Sequence, residues 1–442
     1  MTTLLLSFSV LLITAALWQH RKQSLRDDAW FTSRSGSKAL NAGGRASFMT
    51  LNGSHCGDYA LMLLVTALLS TLSYGLWHPI NVAVLATLPF LMLAFLLRRG
   101  FVARRPMLLE WPDGPLRLWH MLANKLDNSV PTLWLAAALL SVEQALIRVL
   151  DTPERRAANR AYGDWMQTSM LAGFGAITVF RLLVLCDHVR QRDAVFAFLR
   201  GSQWRKSLPK ERNTARELVE LLHAFATGVC CHALAIAPFW IVLQLEHSLA
   251  LLPLRLVVDA IVYTRFWNND FNRWVLRDHF NSHTCEQTFV YMHSAHHDAL
   301  PVSMMASHDT GMLEGFVRFG LGQPEVFLNP GLGLVLVTVA VVGDMVFHQY
   351  VPGVLPYSAT VRKFGHRHAE HHFLSMLPLG SAFERPPDGN AANSIAVDVK
   401  LTGYNPQNAL WDWFIAEVDR IESPAARRRP ESDESSSQQK KR

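Results

Sequence analysis

Ile80-Asn81-Val82-Ala83-Val84-Leu85-Ala86-Thr87-Leu88-Pro89-Phe90-Leu91-Met92-Leu93-Ala94-Phe95-Leu96-Leu97 runs for eighteen residues with no charged side chain, and Arg98-Arg99 follows at once. A helix rises about 1.5 Å per residue, so a stretch of this length reaches across most of a hydrocarbon core about 30 Å thick. A basic pair at its end is what an apolar helix carries where it leaves the bilayer. The stretch reads as a membrane crossing, and His78-Pro79 ahead of it reads as the turn from a preceding one.

The same reading applied outward finds apolar segments at 2–19, 59–77, 131–150, 165–185, 219–245 and 247–267, making seven crossings in all. The first has no basic residue before its apolar run and a poor small-residue cleavage site, so it reads as an anchor and not a signal peptide. Half of the 442 residues are hydrophobic and only 18% are charged, too apolar a balance for an ordinary soluble domain. The formal charge of +6 gathers in the 20–58 segment, after Leu97, and in the 186–218 segment, which contains Arg190, Arg192, Arg200, Arg205, Lys206, Lys210, Arg212 and Arg216. With seven crossings all three segments share a side, which the positive-inside rule makes cytosolic. The charge is thus a topology signal, and no nucleic-acid partner is expected. Arg155, Arg156 and Arg160 fall in a short 151–164 connection on the opposite side. The five cysteines (Cys56, Cys186, Cys230, Cys231 and Cys285) form no Cys-x-x-Cys pair, so neither a disulfide framework nor a thiolate metal site is indicated. Glu143, Arg148 and Arg181 read as isolated charges within their spans, and His223, His232 and His247 as structural or interfacial histidines.

Beyond the last of these crossings the composition changes. Eleven of the nineteen histidines lie between His279 and His372. They fall into His279-x-x-x-His283, His293-x-x-His296-His297 and His368-x-x-His371-His372, with His308, His348 and His366 beside them. Residues three and four apart share a helix face, so each group can turn two or three imidazoles to one point. Eight or more neutral nitrogen donors suit a pair of borderline transition metals such as iron, not magnesium or calcium. Asp278, Asp298, Asp344 and Glu370 stand next to the histidines, where carboxylates commonly accept the second imidazole N–H and fix the ring tautomer. Zinc-protease spacings are absent: there is no His-Glu-x-x-His, and His-x-x-Glu-His would need a histidine where Arg367 stands. Segments 313–327 and 332–348 read as the two halves of a hairpin turned at Asn329-Pro330-Gly331, which returns His348 to the side of the other histidines.

The order His-x-x-x-His, His-x-x-His-His, His-x-x-His-His beside apolar hairpins resembles the fatty acid hydroxylase/sterol desaturase superfamily of membrane di-iron oxygenases. The resemblance covers about residues 260–420. Asn408-Ala409-Leu410-Trp411-Asp412-Trp413-Phe414 is similar to the closing Trp-Asp-x-x-Phe element of that family, one residue shorter. Ser307-His308-Asp309 and Gly343-Asp344-Met345-Val346-Phe347-His348 resemble its histidines after the second box and before the third. The first box lacks the common Trp-x-His-Arg wording, and the closing Phe-Gly-Thr is missing.

The resemblance implies an all-α, polytopic integral membrane bundle with a histidine-rich di-metal site on its cytosolic side. It implies two iron ions held by His279, His283, His293, His296, His297, His308, His348, His368, His371 and His372, with O2 as co-substrate. The expected activity is hydroxylation of a lipid C–H bond. A membrane lipid is then the substrate, and a separate electron-donor protein the partner, since nothing resembles a fused haem or flavin domain. Lipid or sterol desaturation on the same iron site is the alternative within the enzyme class. A metal-handling or haem-binding membrane protein is the alternative outside it. The organisation expected is a multi-span region over 1–258, a catalytic region over 259–422 and a polar, low-complexity tail over 423–442.

Overall fold

A computed structural model of the chain describes residues 56–101, 130–201, 211–262 and 329–358, together with His296, Ser303 and His372. The described chain is all-helical: α1 Cys56–Tyr74, α2 Pro79–Phe101, α3 Val130–Val149, α4 Pro153–Gly201, α5 Thr214–Val242, α6 Leu252–Val262 and α7 Pro330–Phe347. Four of them (α2, α4, α5 and α7) are long and apolar enough to cross a membrane. This is the architecture of a membrane protein.

Local chemistry sets the helix starts. Thr152 precedes Pro153, with its hydroxyl taking the Arg155 N–H and its carbonyl the Arg156 N–H. Asn213 caps α5 by accepting the Arg216 N–H at 3.0 Å. Asn329 caps α7 by accepting the Gly331 N–H at 2.9 Å, with Pro330 in the first turn. The Asn329-Pro330-Gly331 signal is therefore a helix N-cap.

The apolar window of α5 is 83% buried, against a third or less in α2, α4 and α7. A helix apolar all round belongs in the centre of a bundle, and α5 packs against α1, α2, α4 and α7. The outer helices turn large apolar side chains outward, among them Leu68, Leu72, Phe90, Leu93, Val179, Leu183, Val335 and Val339. In water such a surface would be an aggregation liability; against lipid it is the solvated face.

The bundle has two distinct ends. At one, Tyr59 stacks on Phe95 with ring centroids 4.2 Å apart, and its hydroxyl lies 3.2 Å from His223 Nε2. Leu185 of α4 packs on Leu221 of α5 at that level. His188, one turn on, meets Ser303 and Gln349. At the other end the Tyr74 hydroxyl donates to the Ala233 carbonyl, His78 packs on Trp240, and the Tyr162 hydroxyl meets Asn329. The starts of α1 and α5, the C-terminal part of α4 and the end of α7 therefore share one end with His348. Ser303 and His348 stand at this end and Asn329 at the other.

Three expectations need correction. The 165–185 segment is the middle of a 49-residue helix, about 74 Å long at ~1.5 Å per residue. α4 takes up most of the supposed 151–164 connection and the first half of the basic 186–218 segment, because its polar flanks keep the helical repeat. The 247–267 segment begins as a non-helical turn, and its helix, α6, starts only at Leu252. Thirdly, Glu143 and Arg181 are not isolated. Arg255 Nη1 lies 3.4 Å from Glu143 Oε2, and His247 Nδ1 lies 3.7 Å from it. Arg181, wholly buried, places Nη1 3.3 Å from His232 Nδ1. Buried charges keep their ionised form only with partners, and here they come from other helices or the turn after α5, out of reach of a span-by-span reading. Segments 2–19 and 313–327 and the 423–442 tail lie outside the described residues.

Candidate metal centre

Three imidazoles converge at the His348 end. His296, His348 and His372 are all buried, and their potential ligand atoms lie within 4.8 Å of one another. The His296 ring stands edge-on to His348 at 87°, with centroids 5.0 Å apart, and 4.7 Å from His372. His348 and His372 are separated by 5.6 Å between centroids. They come from three separate stretches of chain: the second histidine box, the end of α7 and the third box.

His348 is the C-cap of α7. Its Nδ1 lies 2.6 Å from the Asp344 carbonyl oxygen, one helical turn back. A carbonyl oxygen only accepts, so Nδ1 carries the hydrogen and Nε2 is left as the lone-pair nitrogen, the tautomer a metal ligand needs. The Asp344 side chain was the expected partner of this ring. Its Oδ1 is 3.8 Å away, too far for a hydrogen bond, and the backbone carbonyl of the same residue takes the role.

Donor type and burial fit a transition metal. Neutral imidazoles bind zinc, iron, copper and nickel, and burial excludes the water that hard, oxygen-loving cations retain. Two nitrogens on one tetrahedral metal, at bonds of about 2.0–2.1 Å, lie about 3.3 Å apart. The trio, with ligand atoms within 4.8 Å of one another, is somewhat more open than a closed single-metal site.

Of the ten expected ligands the structure brings these three together. His279, His283, His293, His297, His308, His368 and His371 lie outside the described residues, as do Asp278, Asp298 and Glu370. His223, His232 and His247 are each engaged away from the cluster, with Tyr59, Arg181 and the Val242 carbonyl respectively.

The sequence reading missed the polar knot beside the cluster. His188, Gln349 and Ser303 are all buried, and the His188 ring touches both others. The available signal was the buried stripe Met166, Met170, Phe174, Ile177, Arg181, Val184, His188 on α4. Its spacing of three and four continues past Leu185, where the apolar run stops.

Among the described residues of the basic segment near this end, Arg190, Arg192, Arg212 and Arg216 each lie against a carboxylate. Arg212 joins α4 to α5, with Nη2 2.8 Å from Glu217 Oε2 and its guanidinium over the Phe196 ring at 4.9 Å. The Glu217 hydrogen bond holds Arg212 charged, pushing its pKa up. Arg190 pairs with Asp187 at 2.7 Å and stays largely exposed.

No protein-family model, curated protein or solved structure matches the chain.

Proposed function

We propose that the chain is a membrane-bound, non-haem di-iron oxygenase that inserts one oxygen atom of O2 into a lipid C–H bond. The observation that carries the reading is the convergence of His296, His348 and His372, buried at one end of an apolar helical bundle. Imidazole donors from the second box, the third box and α7 are the groups that the resemblance assigns to iron. Bound iron would supply the oxidising power; the net change converts C–H, O2, two electrons and two protons into C–OH and water.

The chain's own contribution is placement. Asp344 fixes the tautomer of His348, and burial of the three rings keeps bulk water from the reacting centre. The outward apolar faces of α2, α4 and α7 set membrane lipid against the helix that carries His348. The basic residues of the α4–α5 end support, by the positive-inside rule, a cytosolic placement of this end, where reduced iron and electron donors are found. An acidic electron-transfer protein is the partner this charge would attract, and its turnover should weaken as salt rises.

The test is mass-resolved profiling of the lipids of an aerobic host expressing the intact chain or His296→Ala. A lipid that gains one oxygen with the intact chain alone supports hydroxylation and names the substrate. A lipid that loses two hydrogens assigns desaturation to the same site. Lipids identical in both cultures, with an electron donor of the host family co-expressed, count against the oxygenase reading.

A further inference from the structure

One turn of α4 grips the loop that follows His348. Asp187 Oδ2 accepts the Leu355 N–H at 2.9 Å, and Gln191 Nε2 donates to the Gly353 carbonyl at 2.9 Å. Gln191 also donates to Asp187 Oδ2, and Arg190 holds Oδ1, so the grip is itself braced. Between these two lies His188, 2% exposed. Its Nδ1 is 3.0 Å from the Val184 carbonyl, and its Nε2 is 2.9 Å from the Ser303 carbonyl and 3.0 Å from Gln349 Nε2.

The Gln349 amide is oriented unambiguously. Its Oε1 accepts the Val351 N–H at 2.9 Å, and its Nε2 donates to the Leu355 carbonyl at 2.9 Å. The second Nε2 hydrogen is the one that meets His188. With Nδ1–H donated to the Val184 carbonyl, His188 Nε2 accepts that hydrogen, and the Ser303 carbonyl packs against the same nitrogen as a close contact. One imidazole thus contacts both the residue next to His348 and the chain segment that follows His296, while itself standing outside the trio.

We infer that His188 is a positioning residue: with Asp187 and Gln191 it ties the segment that follows His348 to α4 and so sets where His348 stands beside His296. The consequence for metal binding rests on the reading of the trio as ligands; the tie does not. Residues that hold ligands in place typically change metal affinity 10–100-fold when removed. A phenylalanine at 188 keeps the bulk and loses both nitrogens. A glutamine restores a polar group near the Nε2 position.

The experiment compares the full-length protein in detergent with His188→Phe and His188→Gln by two readouts. The first is amide hydrogen exchange at Val351, in protein stripped of metal. The second is titration with Co(II) alone, followed by its d–d absorption. The expected result is exchange at Val351 at least tenfold faster in H188F, Co(II) affinity 10–100-fold lower with an altered band, and recovery of both in H188Q. Wild-type exchange in H188F overturns the inference. If the wild-type protein binds no Co(II) but H188F loosens Val351, the tie stands and the metal reading falls. If H188F does not fold, Gln191→Met, at the exposed edge of the grip, takes its place. It should speed exchange at Leu355 several-fold, and unchanged exchange there overturns the inference equally.

Discussion

Gly333→Ala and Gly343→Ala form a matched pair on α7, the helix that carries His348. A Cβ added at Gly333 would stand 2.2 Å from Phe239 Cε1 and 2.5 Å from Cδ1, whereas one at Gly343 meets nothing within 4 Å. Phe239 is completely buried in the central helix α5, so its ring has no easy retreat. Both substitutions gain the same intrinsic term, since alanine is favoured over glycine within a helix by about 1 kcal/mol. That term cancels in the comparison. What remains is the overpacking cost at Gly333, about 1–3 kcal/mol. Gly343→Ala should therefore be neutral or stabilising, by up to about 1 kcal/mol, with Gly333→Ala less stable than it by the overpacking cost. The assay is reversible unfolding of the full-length protein in mixed detergent–SDS micelles, read by far-UV circular dichroism. Pairing Gly333→Ala with Phe239→Leu should recover part of the loss, because the smaller side chain admits the methyl group. Equal stability of the two glycine variants would refute the close packing of α7 on α5, and with it the placement of His348.

Arg255→Met should cost about 3–5 kcal/mol. It leaves the buried carboxylates of Glu143 and Asp259 without their shared cation, and unfolding in mixed micelles reads the loss. Asn329→Ala removes the α7 cap and the contact with the Tyr162 hydroxyl, a loss of about 1–2 kcal/mol; Asn329→Asp, which keeps an accepting oxygen for the Gly331 N–H but places a second carboxylate near Asp259, should not restore stability fully. Arg181→Leu removes a wholly buried charge that meets His232. Because taking a charge out of water costs more than a single hydrogen bond to a neutral ring returns, thermal unfolding should show this variant no less stable than the parent, while Arg181→Ala, which leaves a cavity, should be less stable.

How much of this could be read from the chain alone depended on the range of the forces involved. The crossings of α2 and α5 are legible because length and apolarity are local properties: 80–97 falls within α2, and all but the last three residues of 219–245 fall within α5. α4 was underestimated because apolarity marks where a helix meets lipid and not where it ends. The buried stripe continues through Arg181 and His188 into a polar stretch, and only its three-and-four spacing records that. His296, His348 and His372 could be named from box spacing, but their convergence is a tertiary fact joining three distant stretches. The pairings of Glu143 with Arg255 and of Arg181 with His232 are invisible for the same reason. The Asn329-Pro330-Gly331 signal illustrates a local ambiguity: Asn and Pro favour both a turn and a helix N-cap, and only the largely apolar run that continues to Phe347 as α7 decides between them.

The most direct test of the central claim is iron quantification by elemental analysis. It compares full-length protein purified anaerobically from iron-replete cells with His348→Ala and His296→Ala. The account predicts two iron ions per chain in the parent and loss of at least one in each variant, with unchanged far-UV circular dichroism. A parent protein without stoichiometric transition metal, or variants that keep the full iron content, would contradict it.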